Sequence, residues 1–190
     1  MVHIRDIARV PAVDGLVEIR GTVEHVAHVR DGGRIPVADG LIELLRYRWR
    51  SEYLTFACDL IDVLLTRFED PNGGFFFTAD DHETLIHRPK PFSDEATPSG
   101  TGIATQVMLQ LGHLLGETRY IDAAERALRT AWPLLQEHPQ AHGALLQALR
   151  GVMSPPEIIV MRGDPGALAD WQRYVSAGYN PGRTSYLIPN

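Results

Sequence analysis

Ser51-Glu-Tyr-Leu-Thr-Phe-Ala-Cys-Asp-Leu-Ile-Asp-Val-Leu-Leu-Thr-Arg-Phe68, followed at once by Glu69-Asp70-Pro-Asn-Gly-Gly74, decides the fold class. Tyr53, Ala57, Leu60, Ile61, Leu64 and Phe68 recur at steps of three and four, the period of one apolar helix face. Ser51 reads as the N-cap, and the proline with its paired glycines stops the helix. Upstream, from Val37, residues Leu41, Leu44, Leu45 and Trp49 fit one face of a preceding helix. The short link between the two predicts antiparallel neighbours.

Helical periodicity returns after Ser99. Ile103, Val107, Leu111 and Leu114 share a face, and Gly116 breaks it. Tyr120, Ile121, Ala124, Ala127, Leu128 and Leu135 form the next face, with Pro133 kinking or ending that helix. Ala141, Leu145, Ala148, Leu149 and Val152 mark another, stopped by Ser154-Pro-Pro. Glu157-Ile-Ile-Val-Met-Arg-Gly then reads as a buried strand, residues 166–177 as a short helix with Trp171 and Tyr174, and Ser185-Tyr-Leu-Ile as a last strand. Residues 1–36 differ: β-branched residues alternate around His25 and His28, which fits either a hairpin or a poorly ordered leader. The chain divides into that leader (1–36), a helical-hairpin region (37–154) and a strand–helix–strand tail (155–190).

Composition narrows the function classes. The chain has 190 residues, 44% of them hydrophobic, and a formal net charge of -6. A core of real size is available, and the basic footprint of a nucleic-acid binder is missing. The single cysteine, Cys58, allows no intrachain disulfide or thiolate zinc site, and its apolar neighbours make it a small core residue. No apolar run reaches membrane-span length, and the start lacks a signal-peptide core, so the expected location is cytoplasmic.

Between the second and third helices lies a connection, residues 69–98, that is several times the usual loop length. Phe75-Phe-Phe-Thr and Leu85-Ile-His-Arg read there as the strands of an inserted β-hairpin around Ala79-Asp-Asp-His-Glu. The segment gathers the chemistry-bearing side chains. A carbohydrate site would take its carboxylates from Asp81, Glu83 and Asp94, with His82 shuttling protons, Arg88 and Lys90 binding hydroxyls or anions, and Phe75 and Phe92 stacking on a ring. The competing reading is a solvated polar turn with Arg88 and Lys90 paired to nearby acids. His82-Glu-Thr-Leu-Ile-His87 nearly matches a zinc-protease motif, but its histidines sit five apart amid helix breakers, so no metal is expected. His138 and His142 read as surface or cap residues. Ser99-Gly-Thr-Gly opens the next helix and reads as its cap, with Asp94 setting the entry angle.

Asp70-Pro-Asn-Gly-Gly-Phe-Phe-Phe-Thr-Ala-Asp-Asp-His-Glu, then His87-Arg-Pro-Lys, Asp94-Glu-Ala-Thr-Pro-Ser-Gly, Tyr120-Ile-Asp-Ala-Ala-Glu and Pro155-Pro-Glu-Ile-Ile-Val resemble, in this order, the C-terminal part of the YyaL-type family, which includes spermatogenesis-associated protein 20. The resemblance covers residues 37–190 and implies a helical region similar to the (α/α)6 toroids of six-hairpin glycosidases and sugar 2-epimerases. Full-length members carry a thioredoxin-like domain that has no counterpart here. Thr101 stands where members commonly have Asn. The expectation is thus a mainly α chain: antiparallel helix pairs of an incomplete (α/α) toroid, an inserted β-hairpin loop and the small tail. About five helices, where a closed ring needs about twelve, cannot wall off a dry chamber. The chain is therefore expected to be a shortened piece that is non-catalytic alone, without cofactor, partnered by a second copy or by the remainder of the toroid. The alternative is a carbohydrate-active enzyme, an epimerase or glycosidase relative with a sugar ligand, using the loop carboxylates.

Overall fold

The computed structural model describes residues 34–81, 87–178 and 180–190. Among them the chain is mainly helical, in the order α1 (Arg34–Tyr47), α2 (Ser51–Arg67), α3 (Gly100–Leu115), α4 (Thr118–Glu137), a 3-10 turn (Pro139–Ala141), α5 (Gly143–Met153), β1 (Glu157–Gly163), α6 (Pro165–Ser176) and β2 (Arg183–Pro189). Reading residues 1–33 as a leader falls outside the described residues. Residues 34–36, grouped with that leader by sequence, belong to the first turn of α1.

α3 is the axis of the packing and lies against α1, α4 and α5. Its sequence is apolar or small nearly all round, and Ala104, Val107, Met108, Leu111 and Leu114 are buried. A helix buried on most sides needs such a composition. Two glycines bring its neighbours close: a Cβ on Gly102 would lie 2.5 Å from the Ala144 Cβ, and one on Gly112 would lie 2.6 Å from Ile121 Cγ1. Gly116 ends the helix in the left-handed conformation, φ 68°, which costs least at glycine.

Several helix readings shift. On α1 the buried face is Ile35, Ala38, Ile42 and Leu45, whereas Leu44 is 50% exposed. The buried set keeps spacings of three and four, and Trp49 lies beyond the helix, its ring edge-on to Tyr186 at 5.9 Å. Ser51 is the first residue of α2 rather than its cap: Arg50 holds that position with no side-chain hydrogen bond. Leu54, Ala57, Leu60, Ile61, Leu64 and Phe68 are buried as the period requires, while Tyr53 is half-buried. α4 runs through Pro133 to Glu137, so the proline does not end it.

The inserted hairpin falls partly outside the described residues, at 82–86. Among the described residues the 69–98 segment holds one isolated antiparallel bridge, Glu69 with Phe75. A tight turn makes that bridge. Gly73 and Gly74 take φ of 101° and 83°, so the chain doubles back within five residues. Asp70 N–H then donates to Gly74 O at 3.0 Å and Phe76 N–H to Phe68 O at 2.9 Å. Phe75 and Phe76 thus pair with the end of α2, while Phe77 N–H donates to Pro89 O at 2.9 Å; Leu85 and Ile86 lie outside the described residues.

The tail forms as read, strand–helix–strand, with β1 and β2 parallel in the register Glu157 to Arg183 through Gly163 to Pro189. A parallel pair needs a crossover, and α6 supplies it. β1 is not buried as expected: no residue in it is fully buried, because it has one strand neighbour. β2 carries the attachment to the helices. Tyr186 is 1% exposed and joins the main core.

Candidate functional site

The charged residues of the 69–98 segment are organised by the segment itself. Lys90 Nζ donates to Asp70 Oδ2 at 2.6 Å and to Gly73 O at 3.3 Å. Asp70 Oδ1 accepts from the Asn72 backbone and side chain at 2.8 and 3.1 Å. Those hydrogen bonds, the Lys90 one foremost, hold the Asp70 carboxyl below the usual range. Arg88 donates to Thr78 O at 2.5 Å and lies over the Phe76 ring, 4.2 Å from its centroid. Lys90 lies 5.5 Å from the same ring. Thr130 donates to Asn72 O at 2.5 Å and Arg126 pairs with Glu69, so the loop is fastened along α4. A Cβ on Gly73 would lie 2.5 Å from the Arg126 carbonyl oxygen, a second reason for glycine there.

Of the proposed catalytic residues, the two described, Asp81 and Asp94, have separate partners. Asp80 and Asp81 both face Arg67 at 3.4 Å and are half-exposed or more. His82 and Glu83 lie outside the described residues. Asp94 is a connector: Oδ1 accepts the Ser99 N–H at 2.8 Å and Oδ2 the Ala144 N–H at 2.9 Å. One carboxylate therefore caps the entries of both α3 and α5. Burial works against its charge, but the Ser99, Ala144 and Gly143 backbone hydrogen bonds prevail and its pKa falls below the usual range. Ser99 adds the expected cap, accepting from Gly102 N–H at 3.2 Å. Of the binding candidates, Arg88 and Lys90 serve the loop, Phe75 is a core residue at 3% exposure, and Phe92 packs against Gly74.

His142 is buried at the head of α5. Its Nδ1 meets His138 O at 2.7 Å and its Nε2 meets Ser93 Oγ at 3.2 Å. With Nδ1 donating to the carbonyl, Nε2 accepts from the serine hydroxyl. The contact tethers the loop to α5. Among the described residues no three His, Cys, Asp or Glu side chains gather as a metal site. Cys58 sits beside Asp62 and Tyr120. Burial first, and the Asp62 charge second, push its thiol up to about 12. Tyr120 donates to Asp62 Oδ1 at 2.6 Å while Arg119 covers its ring. A thiol so raised is a packing group rather than a nucleophile.

Two clefts remain. The first, about 600 Å³, is walled by Ile35, Phe68, Phe75, Phe77, Pro91 and Ile103, with Asp39 and Thr101 as polar members. Burial, and then Glu43 one turn on, raise the Asp39 pKa. Thr101 Oγ1 is buried without a hydrogen-bond partner. The second cleft, about 390 Å³, opens where α1, α3 and α5 meet the tail. Of their linings, the sequence marked Phe75 as a stacking residue; Gln106, Gln110, His113, Gln147 and Arg150 are isolated helix positions with no motif to mark them.

No protein-family model matches the chain, and no curated protein matches it in sequence. Among the described residues, no helix is long and apolar enough to cross a membrane.

Proposed function

We propose that this chain is a non-catalytic helical module, an open arc of antiparallel helix pairs from an (α/α) toroid of the YyaL-type family, which works by docking a partner. One observation supports this reading above others: each described charged group of the 69–98 segment on which catalysis was expected to rest is engaged in fastening the loop and capping helices. Asp94 serves two helix entries and Lys90 serves Asp70. A carboxylate held by backbone donors on both oxygens is a weak base and a poor proton donor.

The apolar surface favours a docking role. Val37, Leu44 and Tyr47, which fall on one face of α1, are 39%, 50% and 83% exposed, and Phe77 is half-exposed at the mouth of the aromatic cleft. Such a patch on an otherwise packed protein marks a contact surface. A second copy, or a chain carrying further helical hairpins, would cover it. Sizing chromatography with a hydrophobic dye tests the reading. Self-association, or dye binding that is lost when Leu44 and Tyr47 are replaced by Ser, is the expected outcome. A well-folded monomer that binds no dye overturns it.

The carbohydrate-active alternative needs two carboxylates about 5–9.5 Å apart across one cleft. In the aromatic cleft Asp39 is the one acidic side chain among the described residues of the wall. Turnover of aryl glycosides, abolished by Asp81→Asn or Glu83→Gln with the helical content unchanged, would establish that alternative instead.

A further inference from the structure

α3 is the most apolar-walled helix of the protein, yet three long polar side chains lie on it at Gln106, Gln110 and His113. Steps of four and three put them on a single stripe. That stripe lines the second cleft, and Gln147 and Arg150 of α5 line it from the neighbouring helix. Arg46 of α1 completes the cationic side, its Nη1 already holding Glu43 at 2.7 and 2.9 Å.

Three properties set this cleft apart. Its wall contains no Asp or Glu, although the chain carries 24 acidic residues. Its polar groups are largely uncommitted. Gln106 donates to Ala144 O at 2.8 Å, but Gln110, Gln147 and Arg150 have no side-chain hydrogen bond or ion pair among the described residues. His113 Nε2 is buried with no partner at all, whereas buried polar atoms are nearly always paired. The cleft volume of about 390 Å³ lies within the range of small-molecule sites.

We propose that this cleft binds a small oxyanion that carries hydroxyl groups, a phosphate monoester or a carboxylate on a polyol. Arg150 pairs with the oxyanion, since an unpaired guanidinium with two parallel donors matches phosphate and carboxylate alike. Gln110 and Gln147 meet the hydroxyls, because a carboxamide both donates and accepts. His113 packs at the cleft wall, its Nε2 shut off from the open space of the cleft. The site is separate from the aromatic cleft and from the α1 surface, and stands whether or not the docking role does.

Titration calorimetry on the whole chain, with ribose 5-phosphate, gluconate, ribose and inorganic phosphate as separate probes, tests it. The expected result is binding of ribose 5-phosphate or gluconate at least about tenfold tighter than of ribose or inorganic phosphate. The first two arms tell a phosphate from a carboxylate. Arg150→Gln is expected to weaken that binding at least about tenfold, and His113→Phe to weaken it less. Both positions are at the cleft wall, and unchanged helical circular dichroism confirms that the variants fold. Absence of binding by all four probes at millimolar concentration, equal binding of inorganic phosphate and ribose 5-phosphate, or affinity unaffected by Arg150→Gln overturns the proposal.

Discussion

The 69–98 segment and the α3–α5 cleft use their charged and amide side chains differently, although each keeps buried atoms with no partner among the described residues, Thr78 Oγ1 and Arg88 Nε in the segment and His113 Nε2 at the cleft. In the segment, Asp70, Lys90 and Asp94 each serve as a hub for groups that folding would otherwise leave unpaired. In the cleft, Gln110, Gln147 and Arg150 are uncommitted and His113 Nε2 has no partner. A dense cluster of charged residues can be wholly structural, and a sparse stripe of amides on a buried helix can be the part left open for a ligand. Unpaired groups reduce stability, so a protein keeps them where something else gains from them.

Substitutions at paired and at unpaired polar groups should therefore have opposite signs. Asp94→Ala is expected to have the largest effect, a loss of about 2–4 kcal/mol in urea unfolding, because it removes caps from two helices at once. A loss below about 0.5 kcal/mol, the size of an ordinary surface change, would break the comparison. Lys90→Met should follow at about 2–3 kcal/mol, since it leaves the buried Asp70 carboxylate without its cation. The double variant with Asp70→Asn should recover part of that loss.

Acid should reveal the same groups. Asp70 and Asp94 titrate lower in the folded chain than unfolded, so they bind fewer protons folded. Their contribution is complete above the unfolded value near 3.9 and is lost as pH falls through the folded values. Wild-type stability should drop steeply below about pH 4, and Asp94→Ala should flatten that limb.

Thr101→Val is expected to raise stability by about 1 kcal/mol, or about 2–4 °C in melting temperature, since it deletes a buried hydroxyl with no partner and keeps the shape. The smallest effect belongs to a pair outside both regions. Arg173 and Asp170 meet one turn apart on α6 with both side chains more than two-thirds exposed. Asp170→Ala should change stability by less than about 0.5 kcal/mol.

Much of the fold was legible because helix periodicity is local. The faces on α2 and α4 follow from spacing alone, as do the breaks at Gly116 and Ser154-Pro-Pro, and the alternation of strand, helix and strand after residue 156. The α1 face was off by part of a turn because Leu44 and Leu45 both look eligible, and only packing against α2 and α3 selects Leu45. Of the hairpin, Phe76 turns back to Phe68 after Gly73 and Gly74 and Phe77 N–H meets Pro89 O, while its tip and most of its second arm lie outside the described residues. For the site, the sequence located the reactive side chains but not their partners. Asp94 lies 50 residues from the Ala144 N–H that engages it.

The sequence by itself determined that this chain is mainly helical, where its helices break, that its charge is acidic and that its polar chemistry crowds into residues 69–98. These are properties of period, composition and backbone freedom, each set within a few residues. Only the tertiary structure decided which polar groups are satisfied and which remain open. Hydrogen-bond satisfaction depends on atoms brought within about 3 Å from distant parts of the chain, and no local pattern encodes that distance.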